Sequence, residues 1–238
     1  KEVLSAFGMI TEQTQDNTAR LETRVLSFKS SIDQAVDDDV EGFDENFSNI
    51  ADSIQLISDN YDNYISSLLP ENITKNITIK KTDNKPKRDS IINDYEIMDT
   101  ALYFNDLWFA NSDGKLTDAG EEFINKMNEF RTDFVNLIVR FNPDADTTDT
   151  GKSGAYAKII DNVNDLFSTD GVVNREGTET SWLEYHFYGY PEIASKTKLA
   201  VIQSNIRSVQ AELYSAMLGG QYQIIATLAN FDAYVVAD

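Results

Sequence analysis

The chain has 238 residues and no cysteine, which excludes a disulfide scaffold, a thiol nucleophile, a Cys-ligated zinc and an iron–sulfur cluster. Forty Asp and Glu against 20 Lys and Arg give a formal charge of −20. Such a surface repels a polyanion and disfavours nucleic acid as a partner; the one basic cluster, Lys80, Lys81, Lys85, Lys87 and Arg88, sits in a loop-like stretch. Only 11 Gly and 4 Pro disfavour a turn-rich all-β chain and favour long helices. No run approaches about 18 apolar residues, so nothing in the chain reads as a membrane span. The first residue is Lys1 rather than Met, from which we expect a fragment or processed product whose anchor or signal lay upstream.

Residues 1–36 predict one helix. Leu4 and Phe7 open a three-to-four spacing that passes through Thr11, Thr14 and Thr18 and turns apolar again at Leu21, Val25, Phe28, Ile32 and Val36. The register holds while its middle is polar. A buried seam loses stability there, so residues 9–20 are expected to be exposed or to face a partner. The acidic run Asp37–Asp39 interrupts the pattern, with Asp38 or Asp39 placed to cap the next helix. Residues 40–69 then alternate three and four apart at Val40, Phe43, Phe47, Ile50, Ile54, Ile57, Tyr61, Tyr64 and Leu68, a helix with a narrow apolar seam that Pro70 stops. Two such neighbours, each roughly 45 Å or more at 1.5 Å per residue, describe an elongated helical hairpin.

Residues 71–94 break the pattern, and Ile73, Ile77 and Ile79 suit a short strand or an extended excursion. An aromatic-rich stretch, 95–110, precedes a turn at 111–114. Thr117 is placed to cap a helix to about Phe141, with Phe123, Met127, Phe130, Phe134, Leu137 and Phe141 on one face. After a polar loop at 143–154, residues 155–167 predict a short helix with Ile159, Ile160, Val163 and Phe167 inward. Residues 168–181 read as loop, and 182–190 as an aromatic cluster. Pro191 opens the last helix, whose seam is Leu199, Ile202, Ile206, Val209, Leu213 and Met217, and Gly219-Gly220 ends it. Beyond it Tyr222, Ile224, Ala226 and Leu228 alternate, as do Tyr234 and Val236, which predicts β-strand. The expected fold class is therefore mainly α. It is an elongated helical bundle with a long hairpin over 1–220, and 221–238 begin a second, β-rich domain.

Few constellations carry chemistry. Asp144, Asp146 and Asp149 with Gly151 space carboxylates on a loop, as a hard cation requires, yet the closing acid of an EF-hand loop is missing and the stretch reads as a solvated loop. Gly151-Lys152-Ser153 echoes the end of a phosphate-binding loop, but Asp146 stands where that loop needs glycine. His186 is the sole histidine, and alone it has few catalytic options. The sequons at Asn46, Asn72 and Asn76 matter only in a eukaryotic secretory route. No carboxylate pair, nucleophile–base set, metal site or cofactor fingerprint remains. The expectation is no enzyme, no cofactor and no metal.

Three motifs in order carry a resemblance. The opening Lys1-Glu2-Val3-Leu4-Ser5-Ala6-Phe7-Gly8 is followed by Trp182-Leu183-Glu184-Tyr185-His186-Phe187-Tyr188-Gly189-Tyr190-Pro191 with Thr197-Lys198-Leu199, Gln203 and Glu212. The exit is Ala216-Met217-x-Gly219-Gly220-Gln221-Tyr222, with Tyr234-Val235-Val236 after it. Together they resemble the first periplasmic domain of the GldM/PorM family over essentially the whole chain. The resemblance implies a homodimeric inner-membrane component of the type IX secretion and gliding-motility machinery of Bacteroidota. In that family an upstream transmembrane helix pairs with a GldL-like partner in a proton-driven motor. Further β domains reach an outer-membrane-associated ring. The charged membrane residues of the family lie upstream of this chain, so no catalytic residue carries over. The implied role is to transmit force or conformation in the periplasm, with Leu4, Phe7, Thr11, Thr14 and Thr18 as the candidate dimer interface or hinge. The alternative from another class is an extracytoplasmic sensor domain that binds a small ligand in a helical bundle.

Overall fold

The computed structural model describes residues 2–69, 102–110, 114–141 and 154–235, with backbone alone for 2–5, 102 and 220–235. Among them the fold is mainly α. The elements in chain order are α1 (Glu2–Asp37), α2 (Glu45–Ser67), α3 (Leu102–Trp108), α4 (Asp118–Phe141), α5 (Ala155–Leu166), the strands β1 (Val172–Val173) and β2 (Glu179–Thr180), α6 (Trp182–Phe187) and α7 (Glu192–Val235). The two strands form an antiparallel ribbon with Val172 opposite Thr180. The ribbon lies in the stretch read as loop, because two-residue strands leave no periodicity to detect. The excursion at 71–94, the basic cluster at 80–88 and the Asp144–Gly151 loop lie outside the described residues.

Local chemistry sets the helix ends. Asp39 takes a left-handed φ of 51° and closes α1: its N–H donates to the Val36 carbonyl at 3.1 Å, and that of Val40 to Ala35 at 2.9 Å. This is the paired bonding that satisfies last-turn carbonyls, with aspartate tolerated where glycine is usual. The cap expected of Asp38 or Asp39 therefore falls to Asp44, whose Oδ1 accepts from Phe47 N at 2.8 Å. α2 starts at Glu45 rather than at Val40. Thr117 caps α4 as its sequence position predicts, accepting from Gly120 N at 3.1 Å. Ser181 does the same for α6.

The residues divide into two compact units. The first comprises 1–17, 61–129 and 167–204, and the second 18–60, 130–166 and 205–238. The first is built around rings. Trp108 stacks on Phe104 at 4.8 Å and meets Phe187 edge-on at 4.8 Å and Phe123 at 5.1 Å. The aromatic cluster at 182–190 thus contributes to a core, through Trp182 and Phe187. Gly120 makes this packing possible, since a Cβ there would sit 2.5 Å from the Trp108 carbonyl oxygen. A backbone atom cannot swing aside. Gly120→Ala should therefore destabilise the protein by about 1–3 kcal/mol, against the roughly 1 kcal/mol that alanine normally gains inside a helix; a urea midpoint at or above wild type would contradict this.

The second unit contains the C-terminal part of α1 and most of α2, within residues 18–60. Lys29 of α1 pairs with Asp52 of α2 at 2.8 Å, and Ser48 donates to Asp33 at 3.3 Å. Its core gathers Val25, Ile32, Phe47, Ile54, Phe134, Ile138, Ile160, Val163, Ile206, Val209 and Leu213. The buried face of α2 is wider than the narrow seam expected, because Ala51, Ser58 and Ile65 are fully buried beside it. α7 is buried around most of its circumference over Glu192–Leu218, as befits a helix surrounded by others. Every residue of its predicted seam is in the core.

The strands expected beyond Gly220 are a correction. α7 continues through Gly219 and Gly220 to Val235. Propagating an existing helix adds one bond per residue fixed, whereas a new strand needs a partner. The glycine pair costs roughly 1 kcal/mol per residue, and residues 221–235 hold no Gly or Pro to break the run.

Candidate functional site

The polar stretch of α1 meets a polar face of α7. Thr11 is fully buried, and its Oγ1 lies 2.7 Å from Thr197 Oγ1. Each hydroxyl also has a carbonyl of its own helix in reach, Phe7 O at 2.9 Å and Ile193 O at 2.7 Å. One hydroxyl donates to the other, and the accepting one donates to its carbonyl. Asn17 Nδ2 donates to Ser204 Oγ at 3.2 Å. Gln203 Nε2 donates to Asp62 Oδ1 at 2.9 Å and Ser66 Oγ at 3.0 Å. In this unit, polar side chains join α7 to both α1 and α2.

The other candidate residues are placed differently. Phe7, Thr14 and Thr18 are half-buried, and Thr14 donates to Ile10 O at 2.8 Å. Only the backbone of Leu4 is described. The structure thus joins Phe7 and Thr11 with Thr197, a residue the periodicity of α1 alone could not supply. It also exposes two large apolar side chains, Met9 at 60% and Ile10 at 46%. Their signal was adjacency: two apolar residues side by side, off the Leu4–Phe7–Thr11 spacing.

Two lysines stand in the first turns of α7. Lys198 donates to the His186 carbonyl and lies 3.6 Å from the Tyr190 ring centroid; burial pushes its pKa down to about 8. His186 is half-buried against Trp182 at 4.6 Å, its pKa lowered by burial and then by the Lys198 charge. Lys196 is 3% exposed, and no carboxylate among the described residues pairs with it. Burial pushes it, too, down to about 8. Between pH 8 and about 10 the unfolded lysines hold protons that the folded ones have released, so stability rises with pH there. Above pH 10 the buried tyrosines reverse the trend, because burial raises Tyr64 and Tyr156 to about 12 and unfolding lets them ionise. Lys196→Met should stabilise the protein by about 1–3 kcal/mol at pH 7 and flatten the rise between pH 8 and 10. Thermal melts across that range test it; an unchanged slope would refute the assignment.

Among the described residues no group of three or more His, Cys, Asp or Glu is arranged to hold a metal ion, and no helix is long and apolar enough to cross a membrane. The arrangement offers helix-to-helix attachment. No curated protein matches the chain. The family model of the GldM N-terminal domain matches residues 2–220, and the chain belongs to that family.

Proposed function

We propose that this domain transmits force or conformation through the periplasm, from an inner-membrane proton-driven motor to the type IX secretion and gliding apparatus. Membership of the GldM family makes the chain a component of that apparatus, in a family of structural motor parts rather than known enzymes. The match over residues 2–220 carries the reading. The form of α1 supports it, since 36 residues of unbroken helix, about 54 Å at 1.5 Å per residue, suit a lever continuing from a membrane helix. In the proposal a GldL-like partner acts through that upstream helix, and outer-membrane-associated ring components are reached through later domains. The domain boundary is proposed at Gly220, where the family match also ends.

The working state is proposed to be a homodimer. Leu4, Phe7, Thr14 and Thr18 mark its interface or, together with the buried Thr11, a hinge. Exposed Met9 and Ile10 support the interface version. The change of compact unit between Asn17 and Thr18 supports the hinge version. Cysteine pairs along residues 4–18 should crosslink between protomers, and monomeric product at every position would overturn the interface. Deleting residues 2–220 from the native protein should abolish both colony spreading and type IX secretion while the remaining polypeptide is still present. Retention of both would overturn the proposed function.

A further inference from the structure

We propose that a trench in the second compact unit, between α1, α5 and α7, docks an acidic amphipathic helix of another protein. The trench holds about 510 Å³, room for one or two large side chains within the range of ligand-sized clefts. Leu21, Ile159 and Ala211 give it an apolar floor, and Arg24 and Lys158 stand on its α1 and α5 walls.

Charge decides what fits. Arg24 and Lys158 are exposed and have no carboxylate partner among the described residues; Arg24 lies against the Phe28 ring, 5.1 Å from its centroid. In a chain with twice as many acids as bases, two cations without acids beside one trench are an exception. The one acid in its lining is already engaged: Glu212 Oε2 accepts from Asn162 Nδ2 at 3.1 Å, and its Oε1 from Ser208 Oγ at 3.2 Å. The N-terminus of α5 opens at Ala155 in the same lining, adding the partial positive charge of a helix start.

Shape decides the form of the partner. The α7 wall is the row Ser208, Ala211, Glu212, Ser215, which Gly219 continues at the next turn. A Cβ on Gly219, or on Gly154 just before α5, would meet nothing within 4 Å. Small residues along one helix face let a second backbone approach closely, and an apolar floor flanked by charge is how a helix is held in a groove. An occupant with leucines on one face and glutamates beside them meets both requirements.

The test uses the 238-residue chain and a fluorescent helical peptide with leucines three and four apart flanked by glutamates. Control peptides carry glutamine for glutamate, or alanine for leucine. Fluorescence anisotropy should report salt-sensitive binding of the first peptide and at least about tenfold weaker binding of either control. Arg24→Glu with Lys158→Glu should weaken binding by a similar factor, and Ser215→Trp should do so by filling the trench, each with an unchanged melting temperature. Equal binding of the glutamine peptide, no binding at all, or full binding by both variants would overturn the proposal. A photocrosslinker at Ser215 should label the peptide. Crosslinking instead to a second copy of the chain would assign the trench to self-association and overturn it as well.

Discussion

Replacing Phe123 with alanine should lower stability by about 3–5 kcal/mol, the cost of removing a fully enclosed ring and leaving a cavity. Phe123 has no exposed surface and is the ring on which the first unit converges. Trp108 lies 5.1 Å away, Phe187 6.1 Å, Trp182 6.3 Å and Tyr64 6.4 Å. These neighbouring rings come from α2, α3 and α6, so the vacancy cannot be closed by moving one neighbour. Indole and phenyl rings repack poorly into a space shaped for another plane. Phe123→Leu should recover part of the loss. Urea unfolding measures both, and a loss below about 1 kcal/mol for the alanine variant would mean that the ring cluster is not the core of this unit.

The second large effect concerns the buried cation of the second unit. Arg207 is 7% exposed; its guanidinium donates to Asp59 Oδ1 at 2.7 Å and Gln210 Oε1 at 3.0 Å. Its Nε is 3.6 Å from Glu22 Oε1. The network continues, since Gln210 Nε2 donates to Gln55 Oε1 at 2.9 Å and Gln55 Nε2 to Asp59 Oδ2 at 2.8 Å. One charged group of α7 thereby fixes the register of both α1 and α2. The two ends of the ion pair are not equivalent. Asp59→Ala leaves a buried guanidinium short of its nearest carboxylate and should cost about 2–4 kcal/mol. Arg207→Met leaves Asp59 and Glu22, whose side chains are 40% and 46% exposed, free to turn to water, and should cost about 1–2 kcal/mol. The double variant should lose less than the sum of the two. Equal losses from the single variants would mean that burial of the arginine is not what makes the pair matter.

Much of the helical fold is legible in the sequence because its periodicities are long. α1, α4 and α5 sit close to where their spacing puts them, and Thr117 and Pro191 act at the helix starts they mark. What was not legible depends on partners or on competition. Asp44 rather than Asp38 or Asp39 caps α2, because Asp39 takes the left-handed turn that closes α1. The alternation at Tyr222–Leu228 suits a strand, but the backbone there continues a helix already formed. The site was half legible. The Leu4–Phe7–Thr11–Thr14–Thr18 row stood out as an apolar register with a polar middle, and polarity suggested exposure. Thr11 is buried instead, because a threonine hydroxyl can satisfy itself on its own helix and Thr197 comes to meet it from 186 residues away. That separation leaves no local trace in the spacing of either helix.

The central claim is that α1 carries coupling into the domain from upstream, and a change in stiffness just before Glu2 tests it most directly. Two insertions are compared in the native protein at that point. One is a flexible Gly-Ser segment of about seven residues. The other is a helical segment of equal length, two turns that keep the phase of the helix. With both proteins present at wild-type levels, colony spreading and type IX secretion should fail with the flexible insert and persist with the helical one. Full spreading and secretion with the flexible insert would contradict transmission through α1.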